Sequence, residues 1–280
     1  MQKKSLLFPN IFANMSTVSN MKIRFFTILI ITVFSLTYAK AASANHSWAN
    51  YHWARTNNPF TLQMGNNLSP GWLPYLQTTS ADWSASSVLD TLIVSGATNG
   101  RRCRPTSGRL EVCNSFYGNN GWLGLAQIWV NGDHIVQGVT KINDTYFSQT
   151  QYNTTAWKNL VMCQEVGHIF GLNHQDEVFN NPNLNTCMDY TNDPTSNQHP
   201  NQHDYDELEI IYSHVDAFTT LKSLVQKLPL GFSTSDKANN NNTENRDEWG
   251  KELRNNGHVA EFERDFGNGK KLVTSVILAQ

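Results

Sequence analysis

Charge is scarce in this chain. Of 280 residues, 16% are Asp, Glu, Lys or Arg, against about 25% in an average globular protein. The net charge is −2, and no basic stripe is available to hold nucleic acid by counterion release. The surface must therefore be built largely from Asn, Ser and Thr. There is no Gly-rich loop that would cradle a phosphate and no internal repeat. Apolar runs are short as well. The longest, residues 25–38, falls below the roughly 20 residues that a spanning helix needs. It follows Lys22 and Arg24 and precedes the small-x-small triplet Ala42-Ser43-Ala44, which is the order of a secretory signal with its cleavage site.

Four segments follow. Residues 1–44 read as a signal peptide, with translation starting at Met1 or Met21. Residues 45–227 form the main domain, residues 228–246 an Asn-rich linker with four consecutive asparagines, and residues 247–280 a short C-terminal extension read as a β-hairpin turning at Gly267-Asn268-Gly269. The expected location is secreted, extracellular or periplasmic. Only four cysteines are present: Cys103, Cys113, Cys163 and Cys187. An even number behind a signal peptide suggests disulfides, in any of three connectivities. Sequence proximity favours Cys103–Cys113, which leaves Cys163–Cys187.

The coarse pattern is α+β. Strands are predicted over residues 60–64, 88–94, 122–130 and 135–142, the last two joined through Asn131-Gly132. Helices are predicted over 72–84, 155–172 and 204–213. Residues 101–120 and 175–202 read as irregular. The helix from 155 is the clearest: Asn153-Thr154-Thr155 caps it, no proline interrupts it, and Gly171 marks its end.

That helix carries Gln164-Glu165-x-x-His168-x-x-Gly171-x-x-His174. Four residues advance about 400° around a helix, so Gln164 and His168 share nearly one face, with Glu165 roughly 60° away. Gly171 lets the chain leave in the left-handed conformation and bend His174 back toward the same point. Three donors and one carboxylate thereby converge, which is the requirement of a catalytic zinc with an open ligand position and a base beside it. Cys187-Met188-Asp189-Tyr190 follows, a Met with a Tyr two residues on. A bridge from Cys163 to Cys187 would pin that segment to the helix, worth roughly 3–4 kcal/mol for a loop of this size.

These motifs resemble the metzincin zinc peptidases (astacins, serralysins, reprolysins, matrixins), whose signature is H-E-x-x-H-x-x-G-x-x-H followed by a Met-turn. The resemblance spans residues 60–214. It implies a twisted mixed sheet, an active-site helix, a Met-turn and a C-terminal helix. It also implies Zn2+ held by Gln164, His168 and His174, with Glu165 as general base, Tyr190 as oxyanion helper and Met188 as floor. Leu123, Gly124, Leu125 and Ala126 match the edge strand that pairs with extended substrate.

The implied activity is that of a monomeric metalloendopeptidase acting on extended protein or peptide substrates through a metal-activated water. No nucleic-acid partner and no stable membrane insertion are expected. Gln164 departs from the family's His, and an amide oxygen is a weaker donor than imidazole. The alternative is therefore a catalytically inactive metzincin-fold module that binds peptide or protein. A secreted Asn-rich structural protein is a third reading. His199, His203 and His214 read as surface or helix-packing residues, Asp176 and Glu177 as solvated unless one of them hydrogen-bonds a ligand histidine, and Trp48, Trp53, Trp72 and Trp83 as core or surface.

Overall fold

The computed structural model describes residues 45–222 and 245–280. The expected signal peptide and nearly all of the Asn-rich linker lie outside the described residues. Among the described residues, no helix is long and apolar enough to cross a membrane.

One nine-stranded mixed sheet organises the chain. Its strands are β1 (His52–Trp53), β2 (Phe60–Asn67), β3 (Leu89–Ser95), β4 (Leu110–Ser115), β5 (Trp122–Asn131), β6 (His134–Asn143), β7 (Lys251–Asn255), β8 (Val259–Gly267) and β9 (Lys270–Leu278). The order across the sheet is β3-β2-β4-β6-β5-β9-β8-β7, with β1 on one end of β6. From β3 to β6 neighbours run parallel; from β6 to β7 they run antiparallel. Helices α1 (Leu73–Trp83), α2 (Asp144–Phe147), α3 (Thr155–Ile169) and α4 (Gln202–Ile211) complete the α+β architecture.

Local chemistry sets the helix starts. The Thr154 hydroxyl accepts from the Trp157 N–H at the head of α3. Asn201 and Asp204 form a reciprocal capping box on α4; each such cap contributes about 1 kcal/mol. Gly171, with φ of +91°, ends α3 in the region that only glycine enters without strain. From Asn159 to Ile169 every residue of α3 is buried, so its polar groups have no solvent face to use. The carbonyls freed at its C-terminal end are met by side chains from elsewhere. Trp53 donates to the Ile169 oxygen at 2.9 Å and Tyr212 to the Phe170 oxygen at 2.8 Å. Thr140 donates to the Glu165 oxygen at 3.1 Å.

Two features differ from the sequence reading. Residues 110–115, read as irregular, form β4 inside the sheet. The C-terminal extension is three strands rather than a hairpin, and β9 pairs with β5 along its whole length, from Trp122↔Leu278 to Asn131↔Lys270. The strand expected to offer a free edge therefore has a partner on both sides. Apolar residues from both segments weld this junction: Tyr117, Trp122 and Leu125 pack with Trp249, Phe262 and Val276.

Candidate metal centre

Helix α3 and its exit bend bring the two expected imidazoles together. The His168 and His174 rings lie 4.5 Å apart, edge to face, and the Tyr190 ring lies 4.4 Å from His174. Gln164, Glu165, His168, His174, Met188 and Tyr190 are all buried. Both expected disulfides, Cys103–Cys113 and Cys163–Cys187, are formed. The second joins α3 to the turn that carries Met188.

Two further glycines make this packing possible: Gly167, absent from the sequence reading, and Gly124, present there only as part of the edge strand. A Cβ at Gly167 would stand 2.6 Å from the Met188 sulfur and 2.8 Å from the Trp83 ring. A Cβ at Gly124 would stand 3.0 Å from Glu165 Oε1. Gly171 is tighter still, because its Cβ would meet the Tyr51 carbonyl oxygen at 2.1 Å. Local helix periodicity carries no trace of the first two, since each answers to a partner distant in sequence.

Buried polar atoms without hydrogen-bond partners concentrate here: the Gln164 amide nitrogen, both Glu165 carboxylate oxygens, both His174 ring nitrogens and the Tyr190 hydroxyl. A native protein leaves few such groups, since each costs about 1–3 kcal/mol. His168 is better placed. Its Nδ1 donates to the Leu172 carbonyl at 2.8 Å, which leaves Nε2 as a lone pair facing the centre. That lone pair accepts the Ser275 hydroxyl from β9 at 3.3 Å.

The electrostatics follow from burial. Desolvation pushes the Glu165 carboxyl well above its usual range. The Ile277 N–H on β9 offsets part of that shift, facing the carboxyl without completing a hydrogen bond. Burial drives both imidazoles far down and the Tyr190 phenol well up, with Glu165 and Glu261 adding to the last. The donor set of two imidazoles and one amide is thus neutral, with a single carboxyl beside it. These residues fit a divalent metal: two buried, neutral imidazoles lie side by side, and neither nitrogen of His174 has a hydrogen-bond partner.

The surroundings sharpen the picture. Glu177, expected to be solvated, lies 3.6 Å from His174 Nδ1 and pairs with Arg254 of β7; Arg254 also binds Glu261 at 2.6 Å. Asp176 instead accepts the Val178 N–H at 2.8 Å and lies in a backbone bridge to Asp189. Trp48 stacks obliquely on His168 at 5.4 Å. His203 stacks on His46 and His199 binds Asp82 at 2.7 Å, so neither belongs to the centre. A mainly apolar cavity of about 130 Å³ adjoins Gln164 and Tyr190. Leu123, Trp157 and Leu160 form one part of its wall, and Ile277, Leu278 and Gln280 from the C-terminal strand form another. Gln280 is held there by Tyr152, whose hydroxyl donates to its carbonyl at 2.9 Å.

Comparison with known proteins gives a likeness of structure and none of sequence. The sequence matches no family model and no curated protein. Among solved structures, the chain is similar to high choriolytic enzyme 1 from the medaka Oryzias latipes, a hatching enzyme zinc-protease, at 10% identity and a TM-score of 0.34, covering 62% of this chain and 98% of that one.

Proposed function

We propose that this chain is a secreted, zinc-dependent endopeptidase of the metzincin type, with Gln164, His168 and His174 as the metal ligands. The observation that carries the reading is the cluster of buried, partnerless polar atoms around the two imidazoles, built on one helix and its exit bend. A bound zinc would supply the Lewis acid that acidifies water and polarises a carbonyl.

The remaining chemistry belongs to the chain. Glu165 takes the proton of the attacking water and returns it to the leaving amine; its raised pKa suits a group that must hold that proton between the two steps. Tyr190, kept protonated by burial, donates its O–H to the developing oxyanion. The cavity beside Gln164 takes an apolar side chain of the substrate. An extended peptide would add to the β5 edge through backbone hydrogen bonds. In the structure β9 stands in that place, so substrate enters only when β9 is displaced, and the protein with β9 seated is latent.

The second reading is a peptide-binding module without hydrolysis. Gln164 in place of an imidazole favours it, as does the Ser275 hydroxyl on His168. Zinc analysis and cleavage assays separate the two. In the peptidase reading His174→Ala loses one zinc equivalent relative to wild type, whereas Glu165→Gln keeps the metal and loses all cleavage of an unfolded protein substrate. Equal zinc in wild type and His174→Ala ends the metal reading. Zinc without cleavage, even after β9 is loosened, leaves the binding module.

A further inference from the structure

Away from α3, three imidazoles and one carboxylate meet at the other end of the N-terminal strand. The parallel pairing of β1 with β6 sets His52 opposite His134. The turn that follows α4 brings His214 and Asp216 to the same point. His214 Nε2 lies 3.2 Å from His52 Nε2. Asp216 Oδ1 lies 3.7 Å from His52 Nε2, 3.3 Å from His134 Nε2 and 3.8 Å from His214 Nε2. Four ligands at zinc–nitrogen and zinc–oxygen distances of about 2.0–2.1 Å form a tetrahedron whose edges are roughly 3.3–3.4 Å. The separations among His52 Nε2, His214 Nε2 and Asp216 Oδ1 scatter around that edge, and these three residues bring one ligand atom each within 4.8 Å of one another, whereas His134 joins the group through Asp216.

Hydrogen bonds account for part of the cluster: His134 Nε2 can donate to Asp216 Oδ1 at 3.3 Å and His214 Nε2 to His52 Nε2 at 3.2 Å. His52 Nδ1 lies 2.8 Å from the Asn50 carbonyl oxygen, so this nitrogen carries the ring's proton. The neutral ring then presents a bare lone pair at Nε2 to the Asp216 oxygen, lone pair against carboxylate. His214 can donate to one of these atoms but not to both. Asp216 Oδ2 is already used: the Arg55 backbone N–H donates to it at 3.1 Å and the Arg55 guanidinium at 3.0 Å. Oδ1 is therefore left facing three ring nitrogens. An imidazole held by a carbonyl on its far nitrogen, and a carboxylate held by an arginine on its far oxygen, are how proteins orient metal ligands. The site also has an entry path, because a cleft of about 350 Å³ is lined by His52 and His214 together with Asn50 and Asp133.

We propose that His52, His214 and Asp216 form a second zinc site, with His134 positioning Asp216, that ties β1, the start of β6 and the exit of α4 together. Three protein ligands supply three corners of the tetrahedron, and the cleft beside them gives water access to the fourth. This site stands independently of the centre on α3, and neither needs the other.

Zinc alone is the probe. Metal content and melting temperature of the full chain are measured after zinc loading and after chelation, for wild type, His214→Ala, His134→Gln and His174→Ala. His214 is half-exposed and His134 partly so, which makes these two substitutions mild. His214→Ala is expected to hold one zinc equivalent fewer than wild type and to lose the rise in melting temperature that zinc gives the wild type, and His134→Gln to need more zinc for the same rise. Their chelated forms should melt as chelated wild type does. His174→Ala should keep that zinc-dependent rise. Cobalt-loaded His174→Ala should retain a tetrahedral visible spectrum that His214→Ala/His174→Ala lacks. Equal zinc content and equal zinc-dependent melting in wild type and His214→Ala would overturn the site. An unchanged zinc content in His174→Ala alone would instead count against the centre on α3.

Discussion

At the scale of single residues, the centre depends on how closely backbones can approach. Gly167 and Gly171 share one helix and its exit but differ in what a side chain would strike. At Gly167 the obstacle is the Met188 thioether, an adaptable side chain. Gly167→Ala should therefore cost about 1–3 kcal/mol, the usual range of overpacking, and push Met188 off its position. At Gly171 the obstacle is the Tyr51 backbone oxygen, and φ is already positive at +91°. Neither can yield, so Gly171→Ala should destabilise more than Gly167→Ala in urea denaturation. The opposite ranking would mean that the α3 exit bend is softer than the contacts imply.

At the scale of elements, β9 decides what the site can do. Seated on β5, it puts Ser275 on His168, the Ile277 N–H toward Glu165 and Leu278 into the cavity wall. One face of it is gripped by the outer cluster around Phe262 and Trp249 through Val276, while Val273 and Ile277 enter the main core. Phe262→Ala, which empties a buried aromatic site at a typical cost of about 3–5 kcal/mol, should loosen β8 and β9 selectively. Amide exchange along β9 should accelerate while α3 stays protected. Cleavage of an unfolded substrate should rise by tenfold or more, since about 1.4 kcal/mol changes an opening equilibrium tenfold. Faster exchange with unchanged cleavage would show that β9 is no barrier to substrate.

This is also the scale at which the sequence was legible only in part. The α3 motif could be read because its donors obey helical spacing and its exit glycine is local. The Asn131-Gly132 turn fixed the β5–β6 hairpin for the same reason. β4 escaped because Glu111 sits at its centre, a charge that looks exposed in sequence. In the fold it is buried and held by Arg109 at 2.7 Å and Asn67 at 2.7 Å. The C-terminal strands could be recognised as strands, but their pairing with β5 joins segments far apart in the chain, and no local pattern encodes it. The cluster of His52, His134, His214 and Asp216 is dispersed in the same way, and His214 alone looked like a surface residue.

At the scale of the whole molecule, buried phenols tie distant segments together and set a limit on the alkaline side. Tyr212 bridges the end of α3 to β1, donating to Phe170 and receiving the Trp53 N–H at 3.4 Å. Tyr152 holds the C-terminus, and Tyr205 donates to the Asp82 carbonyl at 2.8 Å. Burial raises all three above the ordinary phenol value of 10.0. Tyr205 is pushed up to about 12 by burial, then by the Asp82 and Asp204 charges. Between these two values the folded chain keeps a proton that the unfolded chain has lost, so unfolding releases it. The stabilisation is whole below pH 10 and falls as pH rises toward 12. Tyr205→Phe loses one hydrogen bond, about 1 kcal/mol at neutral pH, but has no proton to lose there. Its stability should therefore decline less steeply than wild type above pH 10, narrowing the gap between the two. Urea denaturation across that range, with tyrosinate absorbance followed in parallel, measures both slopes. Curves that stay parallel would mean that Tyr205 ionises equally in the folded and unfolded chains.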